Sequence, residues 1–360
     1  MSRVAAAIID LGALRHNLSI VRKNAPHSKI LAVIKANAYG HGLEMMAKAL
    51  TKADGFAVAH YEEAIAIRKI HTKKPVVLLQ GFADEVELAL LLSHSIEPVI
   101  HSFYQIDILE KLELPDATSV WLKVDTGMNR LGIARAKMLT AWQRLNMIES
   151  LQGRVKIMSH FANADNKNHA GTEEQISLFQ TLTKECNTEK SLANSAGLLH
   201  WPESQLDWVR PGIMLYGISP FDNESAASLG LMPVMTLKSR IIAINHIQKN
   251  ESIGYGHIWT AKQNTSIAVV GIGYGDGYPR HIKENTPVLI NNIRYQIVGR
   301  VSMDMLCVEL NDDRKINVGD EVVLWGEGLP VEEIAKQAGT IAYELLCHVT
   351  PRVKFESING

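Results

Sequence analysis

The sequence predicts an α/β chain: an N-terminal TIM (β/α)8 barrel followed by a mainly antiparallel β domain. Three observations carry this. The first two thirds alternate strand-like and helix-like runs with short links, which implies a parallel sheet with right-handed crossovers. About eight such units fall within roughly 230 residues, the size of a (β/α)8 barrel. Beyond residue 232 the texture changes to strands separated by turns bearing Asn, Asp and Gly.

In chain order, barrel strands are expected over 30–34, 55–59, 76–79, 96–100, 120–124, 155–159, near 191–193 and near 208–209. Each is apolar or β-branched. Apolar spacing near 3.6 predicts helices over 11–23, 43–50, 62–70, 84–92, 104–112, 136–147 and 171–184. An open doubly wound sheet is the alternative. In the second half, strands are expected over 234–246, 265–273, 287–290, 295–299, 305–310 and 321–324. Asn291-Asn292 marks a hairpin. One helix interrupts, over 331–338, with Gly339 as its C-terminal cap. The domains are therefore read as 1–232 and 233–360, the opening residues being assignable to the second.

The composition is that of a soluble globular protein, 46% hydrophobic and 21% charged. A net charge of −1 points to neither nucleic acid nor an anionic membrane. No apolar run reaches the roughly 20 residues that span a bilayer. The apolar stretch over 4–9 is too short for a signal peptide and ends at Asp10. Cys186, Cys307 and Cys347 are odd in number and lack CxxC or CxxH spacing, so free thiols and a cytoplasmic location are expected. The 14 histidines include no HExxH pair, and no catalytic metal is expected. Gly271-x-Gly273-x-Gly275 lacks dinucleotide-binding spacing, and Pro279 follows it instead of a helix.

Candidate site residues stand just after apolar strands, where a barrel opens its active-site mouth. Lys35 ends the first, Asp125 to Arg130 follow the fifth, and His160 the sixth. Asn194 and Ser195 follow the seventh, and Arg210 the eighth. An amine at the tip of a buried strand is costly as structure. As chemistry it is apt, because a desolvated lysine has a lowered pKa and can form a Schiff base.

The segment Ala32-Val33-Ile34-Lys35-Ala36-Asn37-Ala38-Tyr39-Gly40-His41-Gly42 resembles the pyridoxal-phosphate (PLP) lysine motif of bacterial alanine racemases, PLP enzymes of fold type III. Further words agree, in order: Lys123-Val124-Asp125-Thr126-Gly127-Met128-Asn129-Arg130, Ser159-His160-Phe161-Ala162, Ala193-Asn194-Ser195-Ala196-Gly197 and Val209-Arg210-Pro211-Gly212-Ile213. Then come Gly254-Tyr255-Gly256, Gly273-Tyr274-Gly275-Asp276-Gly277, Val298-Gly299-Arg300-Val301-Ser302-Met303-Asp304 and Tyr343-Glu344. Ser302 stands where other members carry Cys.

The resemblance implies a homodimeric enzyme interconverting L- and D-alanine. It would supply D-alanine for peptidoglycan or serve alanine catabolism. Lys35 would hold the cofactor as an aldimine and act as base on one face. Tyr255 of the partner subunit would act on the other. Tyrosine has an ordinary pKa near 10, and His160, linked to Arg210, would help depress it. Tyr39, Ser195, Gly212, Ile213 and Tyr343 would contact the cofactor phosphate, beside Asn194. Arg210 would face the pyridine nitrogen and keep it unprotonated, weakening the electron sink and limiting side reactions. Arg130 would contact the phenolic oxygen and help seat the substrate carboxylate, with the Met303 backbone. Asp165, Tyr274, Arg280 and Arg300 would line an access corridor. Lys123 matches a position carbamylated in some members. A broader substrate range, a decarboxylase and a non-catalytic PLP carrier are the rivals. Arg210 argues against the second and the β domain against the third.

Overall fold

In the computed structural model, which describes residues 4–71, 73–167, 169–311 and 315–360, eight parallel strands follow one another around a ring in chain order. They are Lys29–Val33, Gly55–Val58, Val76–Leu78, Glu97–Ile100, Val120–Asp125, Val155–Met158, Lys190–Ser191 and Trp208–Val209. Val99 pairs with Trp121 and Trp208 with Lys29, so the sheet closes and an open doubly wound arrangement is excluded. The strands read as continuous apolar runs because both faces are covered: Ile30, Leu31, Ala32, Phe56, Ala57 and Val58 are all fully buried.

Helices pack outside the ring. Tyr61–Ile70, Glu85–Ser93, Phe103–Leu109, Met138–Met147 and Ala170–Thr183 lie within three residues of their expected bounds. Helix Leu11–Asn24 buries Ala13, Leu14, Asn17, Leu18 and Val21, one face at helical spacing. Asp10 caps it by accepting the Ala13 N–H at 3.0 Å. Buried Asn17 is fully used: its amide donates to the carbonyls of Leu215 and Met232, and its oxygen accepts the Met232 N–H. One side chain thus fixes this helix to the end of the barrel.

The second sheet is mainly antiparallel. Strands Met235–Ile247, Thr265–Val270, Leu306–Glu309, Ile293–Val298, Pro287–Ile290 and Glu321–Trp325 pair in that order and return to the first, forming a second closed ring. Register shifts in the long strand, near Leu237 and Ile241, let it serve two neighbours. Asn291 and Asn292 both take positive φ in the hairpin, and Gly339 caps helix Val331–Ala338 in the left-handed region. One feature differs from expectation: a second helix, Ala342–His348, follows the first. The chain's opening strand, Ala6–Asp10, pairs with Met235–Ile247 and with the last strand, Lys354–Ile358, so the opening residues join this sheet. The three cysteines are free thiols, and no helix of the described residues is long and apolar enough to cross a membrane.

The N-terminal end of the barrel is plugged by charge and aromatic rings. Lys156 Nζ lies 2.9 Å from Glu97 Oε2, Trp121 donates to the same carboxylate, and the lysine sits over the rings of Trp121 and Trp208. Both partners of this pair are about 85% buried, so it is shielded from screening. We expect Lys156→Met to cost about 2–4 kcal/mol in urea unfolding, since it leaves a buried carboxylate without its cation. Turnover should stay within about twofold, because the expected site residues lie at the opposite mouth.

Candidate active site

Lys35 leaves its strand into an unusual piece of backbone. Ala36, Asn37, Ala38 and Tyr39 all have φ between 52° and 54°, a left-handed turn built without glycine. Left-handed geometry costs roughly 1–2 kcal/mol per residue for L-amino acids, so the surroundings must enforce it. Glu63 accepts the Asn37 N–H at 3.0 Å, and the Asn37 side chain accepts the Leu43 N–H at 2.8 Å. The ring of His41, stacked on Tyr216, places Nδ1 2.9 Å from the Tyr39 carbonyl and 3.1 Å from that of Ala38. Gly40 closes the turn at φ 80°, where a Cβ would meet the Leu346 carbonyl oxygen at 2.1 Å. Helix Ala342–His348 can therefore press directly on the turn. It brings the Tyr343 ring to 5.8 Å from Tyr39 and puts Cys347 in the cavity lining.

That cavity, about 1480 Å³, opens at the C-terminal ends of the barrel strands. It gathers Lys35, Tyr39, Lys123, Arg130, His160, Asp165, Asn194, Ser195, Arg210, Gly212, Ile213 and Tyr343. Its floor is strongly basic. Arg210 is buried, and among the described residues its guanidinium donates only to neutral oxygens: Ser191 Oγ at 2.6 Å, the Ser159 carbonyl and the Leu192 carbonyl at 3.3 Å. Burial lowers its pKa to about 10, so it remains a cation at neutral pH. Lys35 is pulled down by burial and then by Arg130, against the pull of Glu63 and Cys347. Lys123 falls to about 8 through burial and the charges of Arg210, Arg130 and Lys35. His160 is held well below its ordinary value by burial and by the same cations. Both lysines are thereby biased toward the free amine, the form that attacks carbonyl carbon.

Hydroxyl and amide donors converge on one side. Ser195 Oγ accepts the N–H groups of Gly212 (3.0 Å) and Met214 (3.4 Å), which leaves its own proton to donate. Tyr39 and Tyr343 make no hydroxyl hydrogen bond among the described residues, and burial pushes both phenols up, Tyr343 to about 12, so they stay protonated donors. A Cβ on Gly212 would come within 2.7 Å of Tyr39 Oη, so glycine keeps this pocket open. Asn194 caps helix Ser195–His200 through the Gly197 N–H at 2.9 Å.

Five expected residues lie elsewhere. Tyr255, Tyr274, Arg280, Arg300 and Met303 line no part of this cavity. They sit on the β domain, exposed: Tyr255 at 69% and Met303 at 52%. Four of them form one patch. The Arg300 guanidinium lies beside Gly256, next to Tyr255, while Tyr274 N–H donates to the Ser302 carbonyl next to Met303.

Family comparison agrees along the whole chain. Residues 9–220 match the family model for the alanine racemase N-terminal domain, and residues 234–357 that for the C-terminal domain. The alanine racemases of Vibrio vulnificus (strain CMCP6) and Vibrio cholerae are each 49% identical over 352 residues, covering 98% of both chains. The chain belongs to the alanine racemase family. Among solved alanine racemases, the biosynthetic enzyme from Pseudomonas aeruginosa superposes with a TM-score of 0.95 at 42% identity, over 99% of this chain and 100% of that one. The Bartonella henselae enzyme, with covalently bound pyridoxal phosphate, gives 0.89 at 28% identity over 99% of each.

Several groups that hold this alanine racemase site together carried no sequence signal. Gln175 bridges Thr126 Oγ1 and the His160 carbonyl at 3.1 Å each, and Ser191 grips Arg210. They are neutral side chains on ordinary elements. His41 lies inside the lysine motif, but its role is visible only in three dimensions. Burial lowers its pKa to about 4 against a usual 6.5, so below pH 6.5 the unfolded chain takes up a proton that the folded chain refuses. Stability is therefore complete above pH 6.5 and falls as pH drops toward 4. Between pH 7 and pH 4.5 we expect the wild type to lose about 2–3 kcal/mol more than His41→Phe in urea unfolding, since phenylalanine cannot titrate.

Proposed function

We propose that this protein racemises alanine with PLP as cofactor, in a cytoplasmic homodimer whose sites are shared across the interface. The chain divides at 232 into a barrel that holds the cofactor and a β domain that supplies the second base. The observation that carries this reading is Lys35: a partly desolvated amine on a strained turn, facing a cavity lined by cations, with Arg210 buried at its floor, and by hydroxyl donors.

The residues fit the cofactor. Tyr39, Ser195 and Tyr343 hydroxyls with the Gly212 and Ile213 backbone would cradle the phosphate, and Arg210, with no carboxylate bonded to it among the described residues, suits an unprotonated ring nitrogen. Lys35 would bind the cofactor covalently. When bound, PLP supplies an electron sink for the pair of electrons left at the amino acid Cα when its proton departs. Lys35 Nζ takes or gives that proton on one face. Arg130 orients the carboxylate by its fixed cationic fork. Tyr255 cannot serve from its own cavity lining, because it is not part of it. It serves the other face in the partner's site, where the patch also brings Met303 to the substrate carboxylate and Tyr274 and Arg300 to the corridor beside Asp165, joined by Arg280 of the same domain. A Lys123 amine of pKa about 8 is partly neutral at physiological pH, which suits reaction with CO2 to a carbamate facing Arg130. D-alanine made this way would feed peptidoglycan, and run in reverse the reaction would open alanine catabolism.

L-alanine incubated with the PLP-loaded protein in D2O should yield D-alanine carrying deuterium at Cα. Exchange with retained L configuration would remove Tyr255 from its role. Mixing Lys35→Ala with Tyr255→Phe chains should restore up to about a quarter of wild-type activity, because one site of each mixed dimer is intact. Demonstrated subunit exchange without recovery would place both bases in one chain.

A further inference from the structure

The loops bearing Tyr274 and Met303 are joined by one cluster of charged groups that the chemistry above leaves unused. Tyr274 N–H donates to the Ser302 carbonyl at 3.1 Å and Gly275 N–H to the Met303 carbonyl at 2.9 Å, so the loops are zipped backbone to backbone. Asp276 is buried and closes the first turn by accepting the Gly273 N–H at 3.0 Å. Ser302 N–H closes the second on the Met305 carbonyl at 2.9 Å. Arg352, arriving just before strand Lys354–Ile358, pairs through Nε with Asp276 Oδ1 at 3.2 Å and through Nη2 with Asp304 Oδ1. One guanidinium therefore holds a carboxylate on each loop. Between them the Met303 carbonyl is engaged, while its N–H donates to nothing among the described residues.

We propose that Arg352 is a positioning residue for substrate carboxylate binding: by clamping Asp276 to Asp304 it fixes the direction of the Met303 N–H. This rests on the reading that Met303 meets the carboxylate in the partner's site. The planar fork of arginine can hold two carboxylates in fixed relative orientation, which a lysine point charge cannot. The side chains of Arg352 and Asp304 are 33% and 55% exposed, so the pair adds little to stability. Its effect is on direction.

The test uses the PLP-loaded enzyme and Arg352→Lys, Arg352→Met and Asp304→Asn, read by KM and kcat for alanine, the dissociation constant of propionate, and Tm. Propionate is alanine without its amine and reports carboxylate binding alone. Arg352→Lys should raise KM and the propionate constant together, by about tenfold, with kcat within about threefold and Tm within a few degrees. Asp304→Asn should move the same two constants, and adding it to Arg352→Met should bring no further change. Unchanged constants in both arginine variants would overturn the proposal. So would a fall in kcat and Tm together at constant KM, the signature of a merely structural arginine. If the wild type fails to racemise alanine yet propionate binding still weakens in Arg352→Lys, the clamp stands and the substrate reading falls.

Discussion

A guanidinium sealed beneath the barrel mouth, bonded among the described residues to neutral oxygens alone, sets the electrostatics of the cavity. A carboxylate beside Arg210 would cancel its field. Ser191 and two backbone carbonyls satisfy its hydrogen bonds and leave the charge intact. Lys123 and His160 both feel that charge, and Lys35, Lys123 and His160 also share the field of Arg130. Burial alone would lower each amine, and the shared field lowers them further. The site is thus poised to receive an anion, whose arrival relieves the repulsion among its own walls.

The backbone answers the same demand. Four left-handed residues after Lys35 are expensive, and they persist because Glu63, Asn37, His41 and Gly40 each remove a way out. Rigidity here is chemical as well as structural, since in the role proposed for Lys35 an amine that both anchors a cofactor and moves a proton must not wander.

The barrel was legible because its strands are unbroken apolar runs and its polar residues sit at their ends. Lys35, His160 and Arg210 could be picked out on that ground, and twelve of the expected site residues gather in the cavity, whereas Tyr255, Tyr274, Arg280, Arg300 and Met303 do not. What escaped is non-local or chemically quiet. Strand Ala6–Asp10 finds both partners at the far end of the chain, and no local pattern announces that pairing. Helix Ala342–His348 is short and lacks a capping side chain. The left-handed turn hides in Ala-Asn-Ala-Tyr, where only Asn tolerates positive φ easily. Gln175 and Ser191 are neutral, and their importance comes wholly from what they touch.

Helix Ala342–His348 is seven residues long, too short to hold its shape in water unaided. One part leans on the lysine turn through Tyr343 and Leu346. Just past its other end, Thr350 bonds the Asp276 and Gly275 carbonyls that support the β-domain patch. Its fold is borrowed from both contacts at once. Local unfolding here should accordingly be a single cooperative event, with amide hydrogens along the helix exchanging together and each opening loosening the cavity wall and the outward-facing patch in the same instant.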